Sequence, residues 1–180
     1  MKAAVVQMDS RTDREKNIFQ ACCCVVKAVE AGAKLVVLPE VFSYRGPLDE
    51  IFHEKPIAET LSGATVQRFC EQAKEKKISI VLGSIYERIP KTKKMYNTSA
   101  VISSRGEVVA VYRKMHLFKA RLEKKAVSED RHFKAGTRSA FADVAGFRVG
   151  CAVCYDVRFP EMFQRYYQQG CNLLTVPSSF

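Results

Sequence analysis

No stretch of the 180-residue sequence approaches the roughly 20 consecutive apolar residues that a membrane-spanning helix requires. The longest apolar runs, such as Ile78 to Ile85, are short, and Ser79, Gly83 and Ser84 interrupt that one. No membrane helix is expected. Nor is a secretory signal expected, because Met1 to Met8 holds one lysine and a brief apolar stretch that runs straight into Asp9 and a charged segment. A cytoplasmic location is expected. Nor is there a disulfide framework: the seven cysteines are odd in number and three of them, Cys22, Cys23 and Cys24, are adjacent. The one CxxC, Cys151 to Cys154, has no second pair and no nearby HxxxH, so metal ligation is not expected. Internal repeats, low-complexity tracts and interdomain linkers are absent, and 47% hydrophobic with 27% charged residues is a globular balance that argues against disorder and coiled coil. At 20.3 kDa the chain can bury one core, and a single domain spanning residues 1–180 is expected.

The net charge is +10, and its distribution decides what it means. Residues 1–85 carry 12 basic and 11 acidic groups, residues 86–138 carry 14 and 5, and residues 139–180 carry 3 and 3. The excess is therefore local, around Lys91, Lys93, Lys94, Arg113, Lys114, Lys119, Arg121, Lys124 and Lys125. That segment has neither the aromatic interleaving of an RNP motif nor zinc-finger spacing, so nucleic-acid binding would rest on charge alone. A solvated basic face, or a field that draws in small carboxylate-bearing substrates, accounts for it more simply.

Periodicity divides the chain into alternating elements. Ala3 to Met8 begins with a short β-prone run. From Thr12 or Asp13 to Ala31, apolar residues at Ile18, Ala21, Cys22, Val25, Val26 and Val29 follow helical spacing, and Gly32 closes the helix. The three adjacent cysteines then read as packing residues. Lys34 to Pro39 is a buried strand, Thr65 to Lys77 a second helix, and Ile78 to Ile85 a third strand. Tyr96 to Ser103 and Val108 to Arg113 form a hairpin through Ser104, Arg105 and Gly106. Residues 115–140 read as a long charged loop, uncommon in compact domains and often functional. Phe147 to Val153 is a strand, Val157 to Gln169 a helix with Pro160 in its first turn, and Cys171 to Val176 a last strand. This order specifies an α/β fold with a mixed sheet.

In open α/β sheets ligands lie beyond the carboxyl ends of the strands. Three reactive residues stand just past apolar runs: Glu40 after KLVVLP, Lys114 after VVAVYR and Cys154 after FRVGCAV. A carboxylate, an ammonium and a thiol at one sheet edge are the parts needed to open a carbonyl by nucleophilic attack. A free thiol titrates near about 8.5, so it needs a base, and Glu40 can supply one. Lys114 and the backbone N–H of Tyr155 can hold the resulting oxyanion. Two rivals use the same thiol. A redox pair of Cys151 and Cys154 is disfavoured, since Cys151 falls within the strand and an odd separation points the two side chains apart. A Cys154–His116 dyad remains open, because His116 lies two residues beyond Lys114 and shares its face if the strand continues.

At these residues the chain resembles the nitrilase superfamily of carbon-nitrogen hydrolases. Glu40 stands in LVVLPE, Lys114 in YRKMHLF and Cys154 in CYDVRFPE, and the likeness extends from MKAAVVQM through YNTSAV and SEDRHFKAG to NLLTVPSSF. The resemblance implies an αββα sandwich and a thioester mechanism on a non-peptide amide, nitrile or carbamoyl group. Cys154 would be the nucleophile, Glu40 the base and Lys114 the oxyanion partner, with no metal or organic cofactor. It further implies that Glu129 positions Lys114 and substrate, and that dimers form through the Arg158 to Gln169 helix. RFPE after the nucleophile is closest to the Nit branch, whose substrates carry carboxylates that Arg158 could meet bidentately. Family members continue beyond the PSSF block, so only the N-terminal part of the sandwich would be represented. An alternative is then a non-catalytic homologue that serves as a binding or assembly module.

Overall fold

The computed structural model describes residues 2–48, 57–122 and 125–179. β1 (Ala3–Val5) leads into α1 (Arg14–Glu30), β2 (Leu35–Val37), α2 (Ala64–Lys76), β3 (Ser79–Val81) and β4 (Ile85–Arg88). The hairpin of β5 (Met95–Ile102) and β6 (Val108–Arg113) follows, then β7 (Lys119–Leu122), β8 (Lys125–Ser128) and a 3-10 turn at Glu129–Arg131. β9 (Phe141–Val144), β10 (Phe147–Cys151), a 3-10 turn at Cys154–Arg158, α3 (Pro160–Gln168) and β11 (Leu173–Thr175) complete the order. Local chemistry sets the helix ends. The Asp13 carboxylate accepts from Lys16 N–H to cap α1, and Gly32, at φ 82°, follows its last turn.

The strands form a six-stranded mixed sheet in the order β1-β2-β3-β5-β4 with β6 on β5, a three-stranded sheet β11-β10-β9, and the β7–β8 pair. Alternation along the strands separates two cores. Val36, Leu38, Ile80, Leu82, Ala100 and Ile102 face Ile18, Ala21 and Val25 of α1 and Val66, Phe69 and Ala73 of α2. Their neighbours Leu35, Val81 and Val101 turn the other way, onto Val149 and Cys151 of the second sheet, beyond which lie Met162 and Tyr166 of α3. Fully burying such an aliphatic side chain contributes about 2 kcal/mol, which is why the layers stack as α, β, β, α. Gly150 lets α3 lie close: a Cβ there would sit 2.9 Å from Tyr166 Cγ. The Tyr166 hydroxyl donates to the Cys151 carbonyl and accepts from Ala140 N–H. No helix among the described residues is long and apolar enough to cross a membrane.

Several boundaries differ from the sequence expectations. The run 78–85 is not one strand, because Gly83 takes φ 50° and the chain breaks between β3 and β4. A Cβ at Gly83 would lie 2.0 Å from the Pro39 carbonyl oxygen, so the break is where the loop after β2 crosses closely. Residues 115–140 are not one loop: they contain the antiparallel β7–β8 pair, a 3-10 turn and a bridge from Phe133 to Met95. Lys119–Leu122 and Lys125–Ser128 are poor in β-branched residues, which hid the pairing from propensity. β9 was also hidden. It pairs with β10 through Ala145 and Gly146, both at positive φ, and an alanine gives no turn signal there. Finally, the expected Val157 helix begins only at Pro160, after the separate 3-10 turn that carries Cys154.

Candidate active site

Glu40 leaves the end of β2 and is almost fully buried. The residue after it is strained: Val41 adopts φ 46°, a region costly for a β-branched side chain. Its N–H donates to the buried Ser84 hydroxyl at 2.9 Å, so the turn that aims Glu40 is held by the break between β3 and β4. Both carboxylate oxygens are engaged. Oε1 accepts from Asn97 Nδ2 at 2.8 Å and Lys114 Nζ at 3.1 Å, and Oε2 accepts from Ser179 N–H at 3.0 Å.

Lys114 follows β6, its N–H donating to the Asn97 carbonyl and its own carbonyl accepting from Gly136 N–H. A Cβ at Gly136 would fall 2.1 Å from the Arg113 carbonyl oxygen, so a glycine is needed for that approach. Only 1% of the Lys114 side chain is exposed, and its ammonium also donates to Glu129 Oε1 at 3.0 Å. Burial pulls the ammonium's pKa down, but Glu40 and Glu129 more than offset this, and the net direction is upward. Glu129 is fixed in turn: its Oε2 accepts from Phe118 N–H at 2.6 Å.

Cys154 opens the second 3-10 turn at φ 48°, with its N–H on the Pro177 carbonyl at 3.0 Å. Its half-buried thiol lies within electrostatic reach of both Glu40 and Lys114. Desolvation and the Glu40 charge push the thiol up from its ordinary value, and Lys114 opposes them. Tyr155 is the second residue of this turn, where helical N–H groups lack an intrahelical acceptor. Its ring meets Phe118 and Phe159 edge to face. Arg158 is exposed at the turn's end.

The base of the turn is tied down by Asp156, which is wholly buried. Oδ2 accepts from Tyr112 O–H at 2.7 Å and Val153 N–H at 2.8 Å, while Oδ1 accepts from His116 N–H at 3.1 Å and lies 2.7 Å from His116 Nδ1. The segment after Lys114 is thereby bonded to the turn that carries Cys154. The structure thus brings together four residues singled out in the sequence, Glu40, Lys114, Glu129 and Cys154. A groove of about 650 Å³ between β1–β2 and β11 reaches Glu40, Arg45, Ser178 and Ser179.

The sequence profile of the carbon-nitrogen hydrolase family matches residues 2–179. The chain belongs to the carbon-nitrogen hydrolase family. Omega-amidase NIT2 of Homo sapiens is 36% identical over 180 residues, covering 99% of this chain and 63% of that protein. The crystal structure of Saccharomyces cerevisiae Nit3, a member of branch 10 of the nitrilase superfamily, superposes with a TM-score of 0.83 at 31% identity, over 98% of this chain and 64% of that one. A variant of the amidase from Nesterenkonia sp. AN1, with the acetamide moiety of fluoroacetamide covalently added at its active-site cysteine, superposes with a TM-score of 0.81 at 27% identity, over 98% and 64% of the two chains. The chain spans 54% to 63% of the length of the first curated relatives it matches.

Within this carbon-nitrogen hydrolase fold the rival uses of the thiol find no support. His116 is engaged by Asp156 and stacked on Phe159 at 3.6 Å, and Cys151 is a buried thiol pushed up to about 12 by desolvation. Among the described residues no group of three or more His, Cys, Asp or Glu side chains could hold a metal. Sequence reasoning missed Asn97, Asp156 and the Ser179 N–H. Asn97 lies in the YNTSAV block and Asp156 two residues past Cys154, so proximity to quoted motifs was the available signal.

Proposed function

We propose that this chain performs the acyl-transfer chemistry of an amidase, with Cys154 as nucleophile, Glu40 as general base and Lys114 as oxyanion partner. The observation that carries this is the convergence of the three residues: Glu40 accepts from the buried Lys114 ammonium at 3.1 Å, and both charges act on the Cys154 thiol. A thiol with a raised pKa is a poor nucleophile unless its proton is taken during attack, and an adjacent carboxylate does this. As sulfur bonds to the amide carbon, the S–H proton passes to Glu40 and the carbonyl electrons move onto oxygen. Lys114 Nζ and Tyr155 N–H stabilise that oxyanion; removing one such donor costs about 3–4 kcal/mol in the transition state. Collapse expels ammonia, which takes the proton from Glu40; water then attacks the thioester with Glu40 again as base, the C–S bond breaks to release the carboxylic acid, and the proton returns from Glu40 to sulfur. Glu129 holds the ammonium in place from the far side.

The substrate class we infer is a small carboxamide that bears a carboxylate. The local basic excess supports it, as do the names of relatives such as the deaminated glutathione amidase of Dictyostelium discoideum, 33% identical over 180 residues. Arg158 is one guanidinium for that carboxylate; Arg45, which lines the groove beside Glu40, is another. The proposal includes a homodimer through α3, whose Tyr167 is 80% exposed. Incubation with a panel of such amides should yield an acyl adduct on Cys154 by mass spectrometry, together with ammonia. Ammonia release undiminished in Cys154→Ala would end the proposal. A folded dimer inactive on every amide would favour a binding or assembly module.

A further inference from the structure

We propose that Asn97 is a positioning residue for Glu40: its side-chain amide occupies Oε1 and so leaves Oε2 as the oxygen that faces the Cys154 thiol. This rests on the functional reading above and extends it to a residue of the YNTSAV block that the mechanism does not use. Asn97 sits on β5, opposite Tyr86 of β4, and is only 2% exposed. Its Nδ2 donates to Glu40 Oε1 at 2.8 Å, and its backbone carbonyl accepts the N–H of Lys114 at 2.8 Å. One residue therefore touches both charged partners of the site.

Counting lone pairs shows what this contact does. A carboxylate oxygen offers about two acceptor directions. On Oε1 both are taken, by the Asn97 amide and the Lys114 ammonium. On Oε2 one is taken by Ser179 N–H, and the same segment anchors Cys154, whose own N–H donates to the Pro177 carbonyl at 3.0 Å, so Oε2 is the oxygen held on the side of the Cys154 turn. When the S–H bond breaks, its electron pair stays on sulfur and the proton forms an O–H bond at Oε2, the oxygen with a free direction. Lys114 does not fix this geometry alone, because its ammonium is divided between Glu40 and Glu129. The Asn97 amide is neutral, carries a short stem and is seated within the sheet. Its Oδ1 is buried without a hydrogen-bond partner among the described residues, so the amide orientation is set by the Glu40 contact.

The titratable groups around Glu40 are Lys114 after β6, Glu129 and Cys154 on their turns, Tyr86 on β4, and Arg45. The test follows Cys154 alkylation by iodoacetamide against pH, read by peptide mass spectrometry, in the full chain. If Asn97 holds Glu40 against the thiol, Asn97→Leu lowers the alkylation midpoint toward that of Glu40→Gln, and the double variant moves no further than Glu40→Gln alone. Asn97→Ala serves if Asn97→Leu fails to fold. On an amide substrate, Asn97→Leu should lower kcat by about 10- to 100-fold with KM within about threefold, as for a misplaced base. A folded Asn97 variant whose midpoint equals that of wild type overturns the proposal. Amide hydrolysis that survives Cys154→Ala would instead remove the functional reading, and the alkylation comparison would still judge Asn97.

Discussion

Replacing Lys114 by methionine tests the electrostatics of the site most directly, because the ammonium lies between two carboxylates. Glu40 Oε1 and Glu129 Oε1 are 3.1 and 3.0 Å from the same nitrogen, so they are no more than about 6 Å apart. With an effective dielectric constant of about 20, two like charges at that distance repel by about 3 kcal/mol, equivalent to about two pH units. Removing one partner from a buried ion pair commonly costs about 3–5 kcal/mol. Lys114→Met should thus lose roughly that much stability at neutral pH, about 10 °C in Tm for a chain of this length. The pH dependence carries the sharper information. In wild type the raised Lys114 pKa means that its contribution is present throughout the neutral range and is lost only as pH rises through the folded value. In Lys114→Met one carboxylate takes up a proton. Its folded pKa is raised, so the deficit should be small below the unfolded carboxylate range and grow as pH rises from 5 to 8. Thermal melts by circular dichroism at several pH values measure this, and adding Glu129→Gln should remove most of the pH dependence. A deficit of equal size at pH 5 and pH 8 would refute the reasoning.

Two further outcomes are expected. Asp156→Ala strands the Tyr112 hydroxyl, two backbone N–H groups and the His116 ring, and should cost about 3–5 kcal/mol in urea titrations, whereas Tyr112→Phe removes the bond to Asp156 and the acceptor of Met115 N–H and should cost about 1.5–3 kcal/mol. Equal losses for the two would show that Asp156 is not the hub. Cys154 alkylation should reach half-maximum above the ordinary thiol range, since desolvation and then Glu40 raise it; Glu40→Gln should bring that midpoint down. An unchanged midpoint would contradict the thiol–carboxylate interaction.

The layers were legible where period and chemistry agreed. Val36 and Val81 belong to opposite cores because strand residues alternate, and the helices over Arg14–Glu30 and Ala64–Lys76 follow from apolar spacing. The fold brings together residues that the sequence places beyond strand ends, Glu40 and Lys114 among them, because chain direction carries that information. What stayed hidden depends on contacts between distant segments. The break at Gly83 exists to admit the Pro39 carbonyl, and the Ala145–Gly146 turn is imposed by the pairing it closes. Asn97 became visible only when the fold set β5 beside Glu40, 57 positions away along the chain. Asp156 drew no notice in the sequence because three of its four hydrogen-bond contacts come from Tyr112 and His116, some 40 positions earlier in the chain, and only one from nearby Val153.

Glu40 and Ser179 are 139 positions apart, and the hydrogen bond between them makes the site one of the longest-range features of the molecule. Closing so large a loop is entropically expensive and comes late, after local helices and hairpins have formed. Glu40 therefore acquires this donor only once the segments between positions 40 and 179 have found their places. Until then nothing in that contact distinguishes Cys154 from the other thiols of the sequence.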